Sequence, residues 1–578
     1  MLLSTLDWAI IGLYFIFSLA VGVWASKHAS KNTKDFFLAG RNMPWWLLGI
    51  SMVATTFSTD TPNLVTDLVR QNGVSGNWGW WAFLLTGMLT VFVYASLWRR
   101  SGVLTDIEFY ELRYSGKAAA FLRGFRALYL GLVFNVLVMG AVSLAAIKFG
   151  QIVLGIPGWM TLLIAGSVTL IYSTIGGLRA IIITDFVQFS LAMIGSFWAM
   201  YYILGLPEIG GLTNLITHPN VVDKLSLLPN LNDPNDWVPV LLVPLAVQWW
   251  ASYYPGAEPG GGGYIAQRML SAKDEKNAVG ATLLFNIAHY ALRPWPWILI
   301  ALSSLIIFPE LSDIQTAFPD LPQNKLGHDV AYPAMLTLLP SGLLGLVAAS
   351  LIAAFMSTIS TQLNLGASYL VNDFYHRFLK PNATDKELIL AGRVFTVISI
   401  ILGGSLGLIL KSAGQAFNLL LMIGAGTGLI YILRWFWWRI NAYTEIVAML
   451  SSIIIAAYFN FGDINLEGWE KIVIGSILTT IVWIVATFLT PPDDEETLIN
   501  FIQKVNPGGP GWKKFTTTDI DIEPWPVPKG MLGMLLGCMA VYGALLGTGQ
   551  LIYGYHWLSL GLFSLSSLCS IGLFKIWR

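Results

Sequence analysis

Charged residues are scarce in this chain: Asp, Glu, Lys and Arg together make up 11% of 578 residues, whereas 55% are hydrophobic. The mean hydropathy is +0.64, and a soluble globular protein does not tolerate so apolar a composition. Opposite charges cancel to a formal net charge of zero, so charge does not indicate a nucleic-acid partner and we expect none. The composition predicts a protein embedded in a lipid bilayer.

Cysteine is nearly absent, and histidine is not clustered. The two cysteines, Cys538 and Cys569, fall in apolar stretches and cannot form the disulfide framework of a small secreted protein. The six histidines lack metal-ligand spacing, and the chain has neither a nucleophile elbow nor a phosphate-binding loop. These absences disfavour a membrane-embedded enzyme, and we predict that the protein is not an enzyme.

The chain does contain a series of apolar blocks of about twenty residues, the length that an α-helix needs to cross roughly 30 Å of hydrocarbon. The blocks are continuously apolar rather than alternating, so they predict helices and not a β-barrel. About fifteen blocks can be counted. The first block has no basic residues before it and no cleavage site, so we expect it to remain as a transmembrane helix.

Lysine and arginine predict the orientation of these helices, because they collect in cytoplasmic loops. If the N-terminus lies outside, the cytoplasmic loops hold most of the basic residues, among them Arg99, Arg100, Arg268, Lys273 and Lys276. We therefore predict a multi-pass protein of the plasma (inner) membrane, with its N-terminus outside and its C-terminus in the cytoplasm. The oligomeric state does not follow from the sequence.

One apolar block, at residues 353–373, carries a polar stripe. Its polar residues recur at steps of three and four and therefore share one helix face: Ser357, Thr361, Asn364, Ser368 and Asn372. Hydroxyls in membrane helices often bond only to the carbonyl one turn earlier. Here, however, four hydroxyls crowd into five positions: Ser357, Thr358, Ser360 and Thr361. Neutral oxygens at this density suit a weakly held monovalent cation.

Asp185 follows the segment YSTIGGLRAIIIT and lies just inside a predicted helix. An unpaired carboxylate at membrane depth costs roughly 2.5–3.5 kcal/mol, so a cationic or hydroxyl-rich partner is expected. Pairing with Arg179 is the structural alternative. Arg179 precedes Asp185 by six residues and does not share its i+4 helix face.

Two predicted helices are interrupted. Polar residues and Pro62 interrupt the segment 51–69, and two prolines and a run of four consecutive glycines interrupt the segment 248–268. Broken helices in corresponding positions of two halves indicate a binding site near the bilayer midplane, where freed carbonyls can hold a cation. Proline kinks that serve only helix packing are the alternative.

Four segments resemble, in order, the signatures of the sodium:solute symporter family, which includes sodium/glucose, sodium/proline and sodium/sialic acid transporters. The resemblance runs from about residue 7 to 440 and continues more weakly to 515. The four segments are DFFLAGRNMPWW at 35–46, YSTIGGLRA at 172–180, AQRMLSAKD at 266–274 and AAFMSTIST at 353–361. The resemblance implies an all-α membrane protein of the LeuT type, with a leader helix, two inverted five-helix repeats and extra C-terminal helices.

Domain boundaries follow from this resemblance and from the apolar blocks. We expect a leader helix and first inner loop at 1–43, and five-helix repeats at 44–204 and 205–440. Two accessory helices at 441–490, a cytoplasmic linker at 491–528 and two C-terminal helices at 529–578 would complete the chain.

The resemblance also implies sodium as the coupling ion and two sets of ligands for it. The first sodium would be bound by the carbonyls of Ala54, Phe57 and Ala354 and by the hydroxyls of Ser357 and Thr358. The second sodium, which only some family members bind, would use Asp185, Ser357, Ser360 and Thr361.

The solute site departs from the pattern of the sugar carriers. Asp60-Thr61 replaces a Glu-Gln pair of those carriers, and Arg293 stands at a lysine position. Aromatic faces suit a sugar, whereas Arg293 could equally bind a carboxylate. Membrane aromatics also often serve packing alone. The candidate solute-binding residues are Asp60, Thr61, Trp249, Trp250, Tyr253, Tyr254, Glu258 and Arg293.

The sequence therefore predicts symport of a small polar organic solute, a sugar or an organic acid, with two sodium ions per solute. A channel or a sodium-independent facilitator is the alternative, and uptake indifferent to sodium would identify it.

Overall fold

The computed structural model describes residues 3–29, 33–252, 258–411, 421–422, 424–462, 464–515 and 524–577. These residues form helices, and their β-type pairing consists of an isolated bridge between Met43 and Ala272. The first long helices are α1 (Thr5–Ala29), α2 (Trp45–Thr55), α3 (Asp60–Asn72), α4 (Val74–Ser101), α5 (Gly116–Leu154) and α6 (Gly158–Leu204). Then come α7 (residues 234–251), α8 (Gly263–Ser271), α9 (Glu275–Ile307), α10 (Leu343–Leu379), α11 (Asp385–Ile409) and α12 (Gly428–Leu433). The last are α13 (Ala442–Phe461), α14 (Gly468–Leu489), α15 (Glu495–Val505), α16 (Pro526–Ile552) and α17 (His556–Trp577).

Eleven helices of the described residues are long and apolar enough to cross a membrane. Two shorter apolar helices, Trp45–Thr55 and Gly158–Ile171, accompany them. The all-helical membrane architecture expected from the sequence is confirmed, whereas the total of about fifteen spans stays a prediction.

The first core helix is interrupted between α2 and α3. Residues 56–59 separate the two halves, and α3 starts at Asp60. Pro62 therefore lies in the first turn of α3, where its missing N–H costs no hydrogen bond and its fixed φ suits a helix. Pro62 therefore belongs to the second half of the helix, and the interruption itself lies before it.

A second interruption separates α7 from α8. Gly260 and Gly261 lie between these helices with φ of +79° and +83°, a left-handed conformation that glycine adopts without strain. The segments that flank the two interrupted helices pair with each other: the Met43 N–H donates to the Ser271 carbonyl at 3.2 Å, and the Lys273 N–H donates to the Met43 carbonyl at 3.1 Å. The interrupted helices are thus fixed to one another at one end.

Helix α6 is 47 residues long and contains a break at Gly177, whose φ is +58°. It therefore combines two shorter spans, and the second carries Asp185. Helix α10 packs against α1 and against α6 and is central, because nearly all of its side chains from residue 347 to 368 are buried. The carboxylate and the polar stripe are thereby brought to one interface.

The segment expected as a linker, 491–528, contains α15. This helix is amphipathic and buries Leu498, Phe501 and Ile502, and the Phe501 ring lies 5.8 Å from the Phe109 ring, centroid to centroid. Helices α16 and α17 follow as a packed hairpin.

Candidate functional site

Asp185 lies fully buried among α2, α6, α8 and α10. Its carboxylate accepts hydrogen bonds from the Ser51 hydroxyl at 2.5 Å and from the Ser357 hydroxyl at 2.6 Å. The guanidinium of Arg268 lies 3.6 Å away. The cationic and hydroxyl partners expected for this acid are therefore both present, and the cation is Arg268, on α8.

Arg268 is itself fully buried. It donates to Ser51 Oγ at 3.1 Å, to Gln267 Oε1 at 2.9 Å and to Thr361 Oγ1 at 2.8 Å. One guanidinium thus links α2, α8 and α10 and balances the charge of Asp185 on α6. Arg268 was not among the predicted site residues. The charge distribution predicted it for a cytoplasmic loop, and the structure instead places it buried on α8.

The interruption between α2 and α3 meets the polar stripe of α10 at Thr358. The Thr358 hydroxyl donates to the Thr55 carbonyl at 2.9 Å and lies 3.3 Å from the Phe57 carbonyl. The Ala54 carbonyl accepts from the Phe57 N–H at 3.2 Å. Backbone carbonyl oxygens of an unwound helix segment are typical sodium ligands in transporters, and a hydroxyl oxygen can complete such a site. Thr358 and the Phe57 carbonyl therefore lie together as the first predicted ion requires, whereas the Ser357 hydroxyl bonds to Asp185, so the full ligand set stays a prediction.

Adjacent hydroxyls of α10 point to different partners. Ser357 bonds to Asp185, whereas Thr358 bonds to the interrupted helix. Ser360 donates back to the Ser357 carbonyl at 3.0 Å, and Thr361 lies 3.2 Å from the Thr55 hydroxyl. The predicted second set is thus close together, with Arg268 between Asp185 and Thr361, while Ser360 bonds within its own helix.

A cavity of about 70 Å³ lies beside the same interruption. Four of the predicted solute-binding residues line it: Asp60, Thr61, Glu258 and Arg293. Its aromatic walls come from residues that the prediction missed: Trp80, Phe83, Tyr264, Phe285, His289 and Tyr290.

Arg293 and His289 connect this cavity to the interrupted helix. Arg293 Nη1 donates to the Thr56 carbonyl at 3.0 Å, and its Nη2 lies 3.1 Å from His289 Nε2. The other ring nitrogen of His289 lies 3.1 Å from the Thr56 hydroxyl. His289 precedes Arg293 by four residues, and this spacing is the sequence signal that could have identified it.

Glu258 is buried, with 8% of its surface exposed. Its Oε2 has no hydrogen-bond partner within the described ranges. A buried carboxylate oxygen without a partner is costly, so Glu258 marks a place where a donor group of a solute could bind.

The other predicted solute residues lie elsewhere. Trp249 offers its carbonyl to the Thr86 hydroxyl, and Trp250 Nε1 donates to the Ala246 carbonyl at 2.7 Å. Neither is among the residues that line the cavity. Tyr253 and Tyr254 lie outside the described residues.

Interrupted helices that border a cavity near the centre of a helical membrane protein are typical of secondary transporters. The model of the sodium:solute symporter family matches residues 36–458. The chain belongs to this family.

Relatives and a solved structure agree with this class. The chain is 27% identical over 515 residues to a sodium/glucose cotransporter of Vibrio parahaemolyticus, which covers 86% of this chain and 92% of that protein. It is 27% identical over 479 residues to sodium/myo-inositol cotransporter 2 of Mus musculus, covering 75% and 67%. A substrate-bound, outward-open Na+-coupled sialic acid symporter superposes with a TM-score of 0.67 at 20% identity, covering 85% of this chain and 99% of that one.

The structural likeness confirms the LeuT-type fold. The relatives are sodium-coupled transporters and not enzymes, which confirms the expected class. Sodium-coupled symport follows for this chain as a member of the family.

Proposed function

We propose that the protein carries a small polar organic solute, a sugar or an organic acid, into the cell by alternating access across the plasma (inner) membrane. The observation that carries this proposal is the hydrogen bonding of Thr358 at the interruption between α2 and α3. Asp60 and Thr61 follow directly after that interruption and line the cavity. A sodium ion bound by Ala54, Phe57, Ala354, Ser357 and Thr358 would therefore order the same segment that contacts the solute.

The lining of the cavity favours a solute that carries several hydroxyls, an anionic group or both, and at about 70 Å³ the cavity would have to widen to admit it. Asp60 and Glu258 can accept hydrogen bonds from hydroxyls, and Arg293 can pair with a carboxylate. The aromatic walls suit the face of a ring. The names of the relatives, which include glucose, myo-inositol and sialic acid, fall within this range.

We propose that two sodium ions accompany each solute, with Asp185, Ser357, Ser360 and Thr361 serving the second. A charge that crosses roughly 100 mV yields about 2.3 kcal/mol, and a tenfold sodium gradient adds about 1.4 kcal/mol. Two ions would supply roughly 7 kcal/mol, enough for about a hundred-thousand-fold accumulation of a neutral solute. Arg268 already neutralises Asp185, so the second ion would bind when Arg268 moves away.

The orientation and the repeats belong to the same proposal: an outside N-terminus, a cytoplasmic C-terminus, and inverted repeats at 44–204 and 205–440. Reporter fusions at the two termini would test the orientation. A cytoplasmic N-terminus would contradict it.

Uptake into proteoliposomes tests the function. Candidate sugars and sugar acids are first screened by sodium-dependent thermal stabilisation of the purified protein, and the best is supplied in radiolabelled form. Accumulation that needs an inward sodium gradient and disappears with potassium would support the proposal. Equilibration without accumulation, indifferent to sodium, would identify a facilitator instead.

The ratio of sodium flux to solute flux tests the second ion. We expect a ratio of two for the wild type and one for Asp185→Asn. A wild-type ratio of one, or a ratio of two that Asp185→Asn leaves intact, would show that Asp185 has a structural role.

A further inference from the structure

A second and larger cavity, about 690 Å³ in volume, lies between the C-terminal hairpin and the core. Helices α16 and α17 form one side, and α2, α4 and α9 form the other. We call it the hairpin groove and define it by Met88, Leu284, Ile287, Ala540, Ala544 and Leu573. It shares no lining residue with the solute cavity of about 70 Å³.

Most side chains that line the hairpin groove are apolar, and its serine hydroxyls are already hydrogen-bonded. Ser566 and Ser570 also line the groove, but both hydroxyls form hydrogen bonds to backbone carbonyls. Ser566 donates to the Ala540 carbonyl at 2.7 Å, and Ser570 donates to the Ser566 carbonyl at 2.8 Å. A space with these walls does not hold water and favours hydrocarbon.

The groove has one polar end. Lys276 and Asn277 line that end, and Ile287 lies farther along α9. The Trp45 N–H donates to Asn277 Oδ1 at 2.9 Å, which places Trp45 at the polar end as well. Lysine and tryptophan are typical of the interface between headgroups and hydrocarbon. From Lys276 to Ile287 a helix rises about 16 Å, which is half the roughly 30 Å of bilayer hydrocarbon.

The rim of the groove is open. Trp45, Ile287 and Phe574 are 47%, 44% and 75% exposed. In a membrane-spanning bundle such side chains face lipid, so the occupant enters from the bilayer. The basic residue at the polar end, on the side predicted to be cytoplasmic, complements the anionic lipids of that leaflet.

We propose that the hairpin groove binds one anionic phospholipid of the cytoplasmic leaflet. An acyl chain would lie between α9 and the hairpin, and the Lys276 ammonium would pair with the headgroup phosphate. The bound lipid would fill the space between the hairpin and the transporter core.

Native mass spectrometry of the purified full-length protein tests this proposal. Delipidated protein is titrated with phosphatidylglycerol or with phosphatidylethanolamine, which share acyl chains and differ in headgroup charge. We expect one phosphatidylglycerol per chain, bound at least tenfold more tightly than phosphatidylethanolamine. Ala540→Phe and Ala544→Phe, which fill the groove, should weaken binding of phosphatidylglycerol at least tenfold. Lys276→Gln should remove the preference between the two lipids.

Each variant has a matched control. Lys529→Gln removes another lysine predicted to be cytoplasmic, and Leu535→Phe enlarges a residue of α16 that is 58% exposed; neither position lines the groove. Both controls should bind phosphatidylglycerol as the wild type does. The two Phe variants could impair folding because they fill the groove. Lys276 is exposed, so Lys276→Gln tests the proposal without that risk.

Three results would overturn the proposal. The first is wild-type binding without preference for the anionic lipid. The second is unchanged binding and unchanged preference in Lys276→Gln. The third is a groove covered by a second copy of the chain, seen as a dimer that releases no lipid on dissociation.

Discussion

Arg268 and Asp185 form an ion pair in which Nη2 lies 3.6 Å from Oδ2 and both side chains are fully buried. The pair lies where we propose the second sodium ion, so the guanidinium and that ion would compete for one carboxylate. Arg268 also bonds Thr361 and Ser51, so its departure would release hydroxyls together with the carboxylate. The arginine could therefore hold the site closed in the absence of the ion.

The first prediction concerns the stability of this pair. Asp185→Asn leaves the Arg268 charge buried without its partner, which should cost about 3–5 kcal/mol of unfolding free energy. Arg268→Met in the same chain removes the orphaned charge and should restore more than half of that loss. Thermal unfolding in detergent measures both. A double variant no more stable than Asp185→Asn would show that the two residues are not coupled.

The second prediction concerns the first sodium ion. Changing Ser357 and Thr358 together to Ala should raise the sodium concentration for half-maximal uptake at least tenfold, a loss of about 1.4 kcal/mol. Thr358→Ser keeps the hydroxyl and should change this concentration little, whereas Thr358→Val should raise it. Uptake at varied sodium and saturating solute measures the effect.

Ser350 provides the matched control on the same helix, because its hydroxyl donates to the Val347 carbonyl of its own helix, at 2.8 Å. Ser350→Ala should leave sodium activation unchanged. Normal sodium activation in the Ser357 and Thr358 double variant would remove both residues from the site.

The third prediction separates the cavity from the tryptophans next to it. Glu258→Gln and Arg293→Gln should each weaken solute binding at saturating sodium by about tenfold, since each changes a hydrogen-bonding group that lines the cavity. Trp250→Phe should bind solute normally, because Trp250 does not line the cavity. Calorimetric titration with the best solute of the screen measures all three. Weaker binding in the Trp250 variant alone would place the solute outside this cavity.

The fourth prediction concerns a buried ion pair that does not line the solute cavity. Lys148 Nζ lies 2.6 Å from Asp329 Oδ2, and both side chains are 1% exposed. The pair fixes the connection before α10 to α5. Lys148→Met alone should lower the unfolding free energy by about 3–5 kcal/mol, and adding Asp329→Asn should recover part of it. Sodium activation should stay normal in the folded fraction, in contrast to Thr358→Val.

The sequence predicted the elements of the site better than their pairing. The polar residues of segment 51–69 predict the interruption of the first core helix, whereas Pro62, predicted to be part of the break, lies in the first turn of α3. The cost of a buried acid identified Asp185 as a residue in need of a cation. Its partner Arg268 lies 83 residues later on another helix, and no local periodicity connects positions so far apart. Trp249 and Trp250 of α7 were predicted to bind the solute but do not line the cavity. Helix packing determines where aromatic side chains of a membrane protein lie, and composition does not specify that packing.

The leader helix α1 has a consequence for the order in which the protein is assembled. Asp7 Oδ1 accepts hydrogen bonds from the backbone of Gly342 and of Gly345, both at 2.7 Å, across the start of α10. Gly342 is synthesised 335 residues after Asp7, a delay of roughly 17 to 67 s at about 5–20 residues per second. During that time α1 stays in the bilayer because it is itself apolar, with a mean hydropathy of 2.0 over Thr5–Trp24. The helix that is synthesised first therefore cannot form these contacts with α10 until more than half of the chain has been translated.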